Sequence, residues 1–365
     1  MRTVLLLLLL PTTAWAEDPF GFQGGAGPLD LAPDLDASTW ASASECAGCH
    51  PDAVAQWTAS RHRVSWSNDL MQAGFLAEPR LFCVHCHAPA QEQLAEILPN
   101  MPIYTSLSPH ASTHEPPPGP LAPEPLADEG ISCVVCHLRG VQILTANPPS
   151  PDAPHNLRYD PLFGTESACV TCHEFSAAVF LDGAMVGDDQ PMQSTVSEWR
   201  AWKVSSGRTE DCTTCHMPDG DHTMSGGHDR ERVNRAINIR GSRDGTALVV
   251  TAQDVGHAVP TGDLFRHLTL EQAPRVEGPW TVLYTFGRSF ALGHTGVVPI
   301  KRDVHDTRLR PGVPVVVPLA QSGGHWRLRS HLGGPHDEAR GLVPLDALVK
   351  VIAEGPVGAP VDVSK

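Results

Sequence analysis

Apolar and polar positions divide the chain into three stretches of different character. After Arg2 comes an unbroken apolar run, Val4 to Leu10, then Pro11 and the small-residue signature Ala14-Trp15-Ala16. That pattern reads as an export leader, residues 1–16, cut before Glu17. Crossing a hydrocarbon core takes about 20 apolar residues, so a run this short predicts no membrane span. Residues 17–45 read as an extended segment. From 46 to 238 no single period persists, and Pro116-Pro117-Pro118 and Pro148-Pro149 mark loops. Short helices are predicted over Asp52–Arg63, Gln91–Leu98 and Ser194–Lys203. Beyond Asn238 the pattern changes to short β-branched or alternating runs: Ala247–Ala252, Thr281–Phe286, Val313–Leu319, Trp326–Arg329 and Val349–Ala353. Pro311-Gly312 and Gly333-Gly334-Pro335 punctuate them, which predicts an all-β, immunoglobulin-like sandwich over 239–365. The expected class is therefore mixed, with a loop-rich, short-helix domain over 46–238 followed by that sandwich.

The cysteines change this picture most. All 10 fall into copies of C-x-x-C-H: Cys46/Cys49/His50, Cys83/Cys86/His87, Cys133/Cys136/His137, Cys169/Cys172/His173 and Cys212/Cys215/His216. This spacing is the signature of c-type haem attachment. Two thiols one turn apart add to the two vinyl groups of one porphyrin, and the adjacent imidazole reaches the iron from below. A disulfide framework suits an exported chain but does not require His after every second Cys. Zinc sites with two Cys pairs per metal would strand one pair and leave the regular histidines unexplained. A thioredoxin-like redox motif would occur once. Five covalent haems are expected, in a segment too short to build an ordinary core around each, so the haems themselves must form the core.

The stretch from Cys46 to His62 reads C-x-x-C-H, six residues, then Trp57-x-x-Ser60-x-His62, and it resembles the opening of the tetrahaem cytochromes that accept electrons from hydroxylamine oxidoreductase. The next three motifs follow in similar order, with Gly130 just ahead of the third, so the resemblance covers roughly Glu45 to Glu174. It implies a multihaem electron-transfer protein, His62 as a ligand to a haem attached far along the chain, and His155 as a second distal ligand. It also implies that the haem held by His87 lacks a second ligand. The chain departs from those relatives beyond Glu174. Gln193-Ser194-Thr195-x-x-Glu198-Trp199, Cys215-His216-Met217-Pro218 and Gly256-His257-Ala258-Val259-Pro260-Thr261-Gly262 are similar instead to segments of larger multihaem cytochromes and haem reductases.

Whether each iron gains a second axial ligand decides between carrier and catalyst, because two strong ligands close the metal to substrate. His222 and His228 flank a Gly-rich turn after the fifth motif, and one of the two is expected to fold back over a haem. His257 would tie the two domains through a metal bond, or else serve as a polar turn residue. His110 and His114 are weaker candidates, His85 is a bystander within its motif, and Met217 and Met224 are possible thioether ligands. His267, His294, His305, His325, His331 and His336 read as surface residues.

Enough histidines exist to cap every haem and no acid/base set can be placed, so the preferred reading is a periplasmic electron carrier. The rival is a reductase or oxidase of a small nitrogen or sulfur compound at a five-coordinate haem. A formal net charge of −15 disfavours nucleic acid and anionic lipid and suits redox partners with a basic docking surface. Oligomeric state is not encoded in any of these patterns.

Overall fold

The structure, a computed structural model, describes residues 42–77, 81–90, 92–93, 97, 125–139, 142–181, 184–295, 298–334, 341 and 343–358. The expected leader, most of the 17–45 segment, His110, His114 and His336 lie outside the described residues, as does most of the expected helix over Gln91–Leu98. Among the described residues no helix is long and apolar enough to cross a membrane.

The first part of the chain is built from short helices and small sheets. Helices run over Ala43–Ala47, Pro51–Thr58, Asp69–Ala77, Leu81–His87, Cys133–His137, Val170–His173, Thr195–Ser206 and Cys212–His216. Pro51 occupies the first turn of its helix, where its missing N–H costs nothing. The Thr195–Ser206 helix stops at Gly207, whose φ of 70° closes it in the left-handed conformation. Strands β1 (Leu138–Arg139), β2 (Gln142–Thr145) and β3 (Leu157–Tyr159) form one small sheet, and β4 (Glu174–Leu181) pairs with β5 (Ala184–Ser194) in a hairpin.

Two antiparallel sheets follow. Strands β6 (Ile237–Gly241), β7 (Ala247–Ala252) and β12 (Val315–Pro318) lie in the order β12-β7-β6. Strands β8 (His267–Ala273), β9 (Thr281–Phe286), β13 (His325–His331) and β14 (Val349–Pro356) lie in the order β14-β13-β8-β9. Strands β10 (Arg288–Thr295) and β11 (Val298–Asp306) form a separate hairpin. Period-two alternation explains the packing, since side chains of successive strand residues point to opposite faces. Ile237, Ile239, Leu248, Val250 and Val317 of one sheet meet Leu268, Leu270, Phe286, Trp326, Leu328 and Ile352 of the other in one buried cluster. Each fully buried Leu or Val contributes about 1.5–3 kcal/mol by leaving water, so this seam holds the sandwich closed. Strand β6 straddles the expected domain boundary at 238/239, pairing Ile237 with Ala252 and Ile239 with Val250.

Strand β8 departs from simple alternation. Thr269 and Glu271 are buried on its outer face, because Arg327 and Arg329 of β13 reach across to Glu271 at 2.7 and 3.2 Å. His331, expected at the surface, is also buried, with Nε2 3.0 Å from the Thr269 hydroxyl and its ring stacked on His267 at 4.2 Å. Two Arg stems and a stacked ring shield positions whose residue types alone look solvent-facing.

Candidate metal centres

Every C-x-x-C-H segment includes a short helical turn, and the geometry follows from the spacing. Residues three apart share a helix face, so both thiols of a motif point the same way, with the following His beside them. The Cys212–His216 turn is held by a capping box, in which Asp211 accepts from the turn's backbone and Thr214 Oγ1 accepts from the Asp211 N–H at 3.3 Å. The third motif is set against the first by Gly130. With φ at 58°, Gly130 passes so close to the His62 turn that a Cβ would meet the Ser65 hydroxyl and stand 2.6 Å from the His62 carbonyl. Ile131 N–H donates to that carbonyl at 3.0 Å, and Trp57 Nε1 donates to the Ile131 carbonyl at 2.7 Å. Trp57, His62 and Gly130, which carried the resemblance, thus form one contact.

All five motifs line a single cavity of about 2420 Å3. Small-molecule sites usually measure about 300–1,000 Å3, so this space suits several large groups rather than one substrate. Thiols of different motifs meet across it: Cys46 with Cys133, Cys86 with Cys172, and Cys169 with Cys212. None of the ten is paired in a disulfide. Among the described residues no group of three or more His, Cys, Asp or Glu converges on a bare metal ion.

The imidazoles instead meet in twos. His50 faces His155 with ring centres 6.2 Å apart, His137 faces His222 at 6.2 Å, His216 faces His257 at 6.2 Å, and His62 faces His173 at 6.3 Å. Metal–imidazole bonds of about 2 Å put two opposed nitrogens about 4 Å apart, and ring centres about 1.1 Å further out on each side, giving about 6.2 Å. The four spacings therefore fit one ion held between each pair.

The hydrogen bonds set the correct nitrogen free. Nδ1 donates to a backbone carbonyl in His87 (Ser65, 2.7 Å), His137 (Leu144, 3.0 Å), His216 (Ser225, 2.8 Å) and His257 (Ala258, 2.9 Å). His62 Nδ1 lies 2.8 Å from the Met224 thioether, and His173 Nδ1 lies 3.0 Å from the Gln193 side-chain amide. In the four rings whose Nδ1–H is given to a carbonyl, Nε2 is left as the ligand atom. Among the described residues the buried Nδ1 atoms of His155 and His222 have no hydrogen-bond partner. Burial pushes the pKa values of His62, His87, His137 and His257 down, that of His173 to about 3 and that of His216 to about 4. Each ring is thus held neutral, the form that binds metals.

His257 sits in the loop that enters the sandwich, and that loop is fastened to the Thr195–Ser206 helix. Glu198 accepts from Ala258 N–H at 3.0 Å and from the Thr261 hydroxyl at 3.2 Å, and it pairs with Arg308 at 2.7 Å. Gly256 passes Trp202 and Trp199 so closely that a Cβ would come within 2.9 and 3.0 Å of their rings. Two of the three sequence segments singled out beyond Glu174, Gln193–Trp199 and Gly256–Gly262, are therefore the two sides of this junction.

Of the alternatives His222 and His228, His222 is the one that faces a motif histidine. His228 lies instead between two guanidinium groups, with Nδ1 2.8 Å from Arg61 and Nε2 3.2 Å from Arg266. Met224 contacts His62 rather than standing opposite a motif histidine. His87 has no facing imidazole among the described residues. Sequence reasoning did not find Arg61 and Arg266; their only signal was one of the two Arg flanking His62 and another four residues after Gly262.

Residues 45–104 match the family described as cytochrome c554 and c-prime, a shorter span than the expected 45–174. The crystal structure of a penta-heme cytochrome c552 from Thermochromatium tepidum superposes with a TM-score of 0.58 and 20% identity, covering 88% of this chain and 98% of that one. The fold is that of a multihaem c-type cytochrome. No curated protein sequence matches the chain significantly. In a multihaem c-type cytochrome each C-x-x-C-H holds its cofactor by two thioethers and one imidazole, and here the facing rings and committed Nδ1 atoms fit that arrangement. The β-rich region is part of the superposed fold, since the match spans most of both chains.

Proposed function

We propose that this chain is an exported pentahaem cytochrome that passes electrons through a row of covalently attached haems. The ten motif cysteines carry the thioethers. His50, His87, His137, His173 and His216 serve as proximal ligands. His155, His222, His62 and His257 close the opposite faces opposite His50, His137, His173 and His216. The four imidazole pairs at 6.2–6.3 Å carry this reading. Bound haem supplies one-electron storage, with a potential set by axial ligand, burial and neighbouring charge.

The protein's own part is to fix spacing and keep water away. The thiol contacts put the first motif beside the third, the second beside the fourth, and the fourth beside the fifth. Cys136 lies within electrostatic range of Cys172, linking the third motif to the fourth. The order along the row is then first, third, fourth, fifth, with the second joining at the fourth. Residues 46–238 form the haem-bearing unit and 239–365 the sandwich, whose β6 strand begins just before that seam. Residues 1–16 act as the export leader and set a periplasmic location. The net charge of −15 favours redox partners with basic docking surfaces.

A second reading is favoured by one observation. His87 lacks a facing ring among the described residues, and on this reading its haem would keep a position open to a small nitrogen or sulfur compound. Protein matured in a host that attaches haem tests both. Intact mass should give five haems per chain, and the ferric spectrum should show four low-spin centres and one high-spin centre. Five low-spin centres that ignore carbon monoxide would end the second reading. A mass equal to the bare polypeptide would end the first.

A further inference from the structure

Gln193 and Thr195 start a row of polar side chains that leads from the fourth motif to the junction. Gln193 Nε2 lies 3.0 Å from His173 Nδ1 and 3.5 Å from Thr195 Oγ1. Thr195 Oγ1 is 2.8 Å from Thr261 Oγ1, which lies 3.2 Å from Glu198 Oε2. The far end fixes the direction of the protons. A carboxylate paired with Arg308 only accepts, so the Thr261 hydroxyl donates to Glu198 and the Thr195 hydroxyl donates to Thr261. Thr195 therefore turns a lone pair toward Gln193.

The near end conflicts with this. A neutral His173 ring binds a metal through Nε2 only with its proton on Nδ1, and an amide nitrogen also only donates. At 3.0 Å the two would meet donor to donor. Turning the amide over exchanges its oxygen and nitrogen without changing the side chain's shape. Oε1 then accepts from His173 Nδ1–H at 3.0 Å, a normal hydrogen-bond length, and only the 3.5 Å contact to Thr195, longer than a normal bond, is given up. The neighbouring backbone is held from both sides. Gln193 pairs with Phe175 across the β4–β5 hairpin, and Glu174, next to His173, accepts from the Val196 and Ser197 N–H groups at 3.0 Å each.

We propose that Gln193, through Oε1, is the positioning residue of His173 and sets the donor strength of that imidazole. The proposal rests on the electron-transfer function proposed above. His87, His137 and His216 give Nδ1–H to backbone carbonyls, whereas at His173 the acceptor is a side chain. Thiols of the fourth motif meet those of the second and the fifth, so Gln193 acts at the branch of the proposed row. A stronger acceptor on Nδ1–H makes the ring more basic, which favours ferric over ferrous iron.

The test uses the full-length haem-loaded protein, with midpoint potentials from a spectroelectrochemical titration and the ferric electron paramagnetic resonance spectrum. The His62–His173 centre is identified as the one that His62→Ala turns high-spin. Gln193→Leu, which removes the acceptor, should raise that centre's midpoint by up to about tenfold in its reduction equilibrium, about 59 mV for one electron. Gln193→Glu, a stronger acceptor, should lower it, and both variants should keep the parent's haem content by mass and its low-spin count. A fall of the midpoint in Gln193→Leu overturns the proposal, because it is the removal of a donor N–H, not of an acceptor, that makes the ring more basic. So do unchanged midpoints in both variants, and so does loss of low-spin signal in both, which marks Gln193 as structural. If Gln193→Leu alone loses the signal, the direction of the shift in Gln193→Glu decides. A parent chain whose mass shows no haem sinks the proposed function itself, and this assignment with it.

Discussion

Replacing Glu198 by Ala probes the junction between the haem-bearing unit and the sandwich. The carboxylate is buried with Arg308, their side chains 7% and 5% exposed, and it also accepts from Ala258 N–H and the Thr261 hydroxyl. Removing one partner of a buried pair costs about 3–5 kcal/mol because the other charge is stranded. Arg308 keeps Asp306, at 2.8 Å and 3.0 Å through two nitrogens, so the lower end, about 3 kcal/mol, is expected. The Ala258 N–H loses its acceptor, and the loop that carries His257 loosens. The fifth motif should then show a fraction of high-spin haem in the ferric spectrum, alongside a lowered denaturant midpoint for the sandwich. Glu198→Gln, which keeps an acceptor for Ala258, should retain more low-spin signal than Glu198→Ala. A midpoint within the spread of replicate measurements together with an intact low-spin spectrum for Glu198→Ala would refute the claim that this carboxylate positions His257.

Three further outcomes are expected. Gly130→Ala puts a Cβ into the Ser65 hydroxyl and the His62 carbonyl at a φ of 58°; the left-handed backbone alone costs about 1–2 kcal/mol, and electron paramagnetic resonance should show the His62–His173 centre disturbed before the others. His222→Ala should convert one low-spin centre to high-spin while His228→Ala converts none; identical spectra for the two would reverse their assignment. Glu271 is pulled both ways, with burial raising its pKa and Arg327, Thr269 and Arg329 outweighing that to leave it below the ordinary 4.5. A depressed carboxylate stabilises the fold above its unfolded pKa and loses that contribution as pH falls through the folded value. The stability gap between the parent and Glu271→Gln, read from denaturant midpoints, should therefore be full near neutrality and shrink as pH drops below 4.5.

The motifs were legible because their chemistry is local: two thiols and an imidazole within five residues need no tertiary information. Strand runs such as Ala247–Ala252 and Trp326–Arg329 were legible from alternation. Strand β8 was not, since Thr269 and Glu271 look solvent-facing until Arg327 and Arg329 cover them. The β4–β5 hairpin was hidden by Gly187, Asp188, Asp189 and Pro191, all poor strand residues. Choosing between His222 and His228 was beyond the sequence, because the choice depends on which of two nearby rings the 218–228 turn swings toward His137. The Arg61, His228 and Arg266 cluster joins three distant segments, each unremarkable by itself.

On the proposed assignment of His257 as an axial ligand, the C-terminal region would take part in cofactor maturation. Thioether formation needs only the C-x-x-C-H pentapeptide, whereas capping of the last iron waits until the sandwich has folded and docked. On that assignment, a precursor truncated near residue 240 would keep all five C-x-x-C-H motifs but leave the fifth without its facing imidazole, with a colour change to report it.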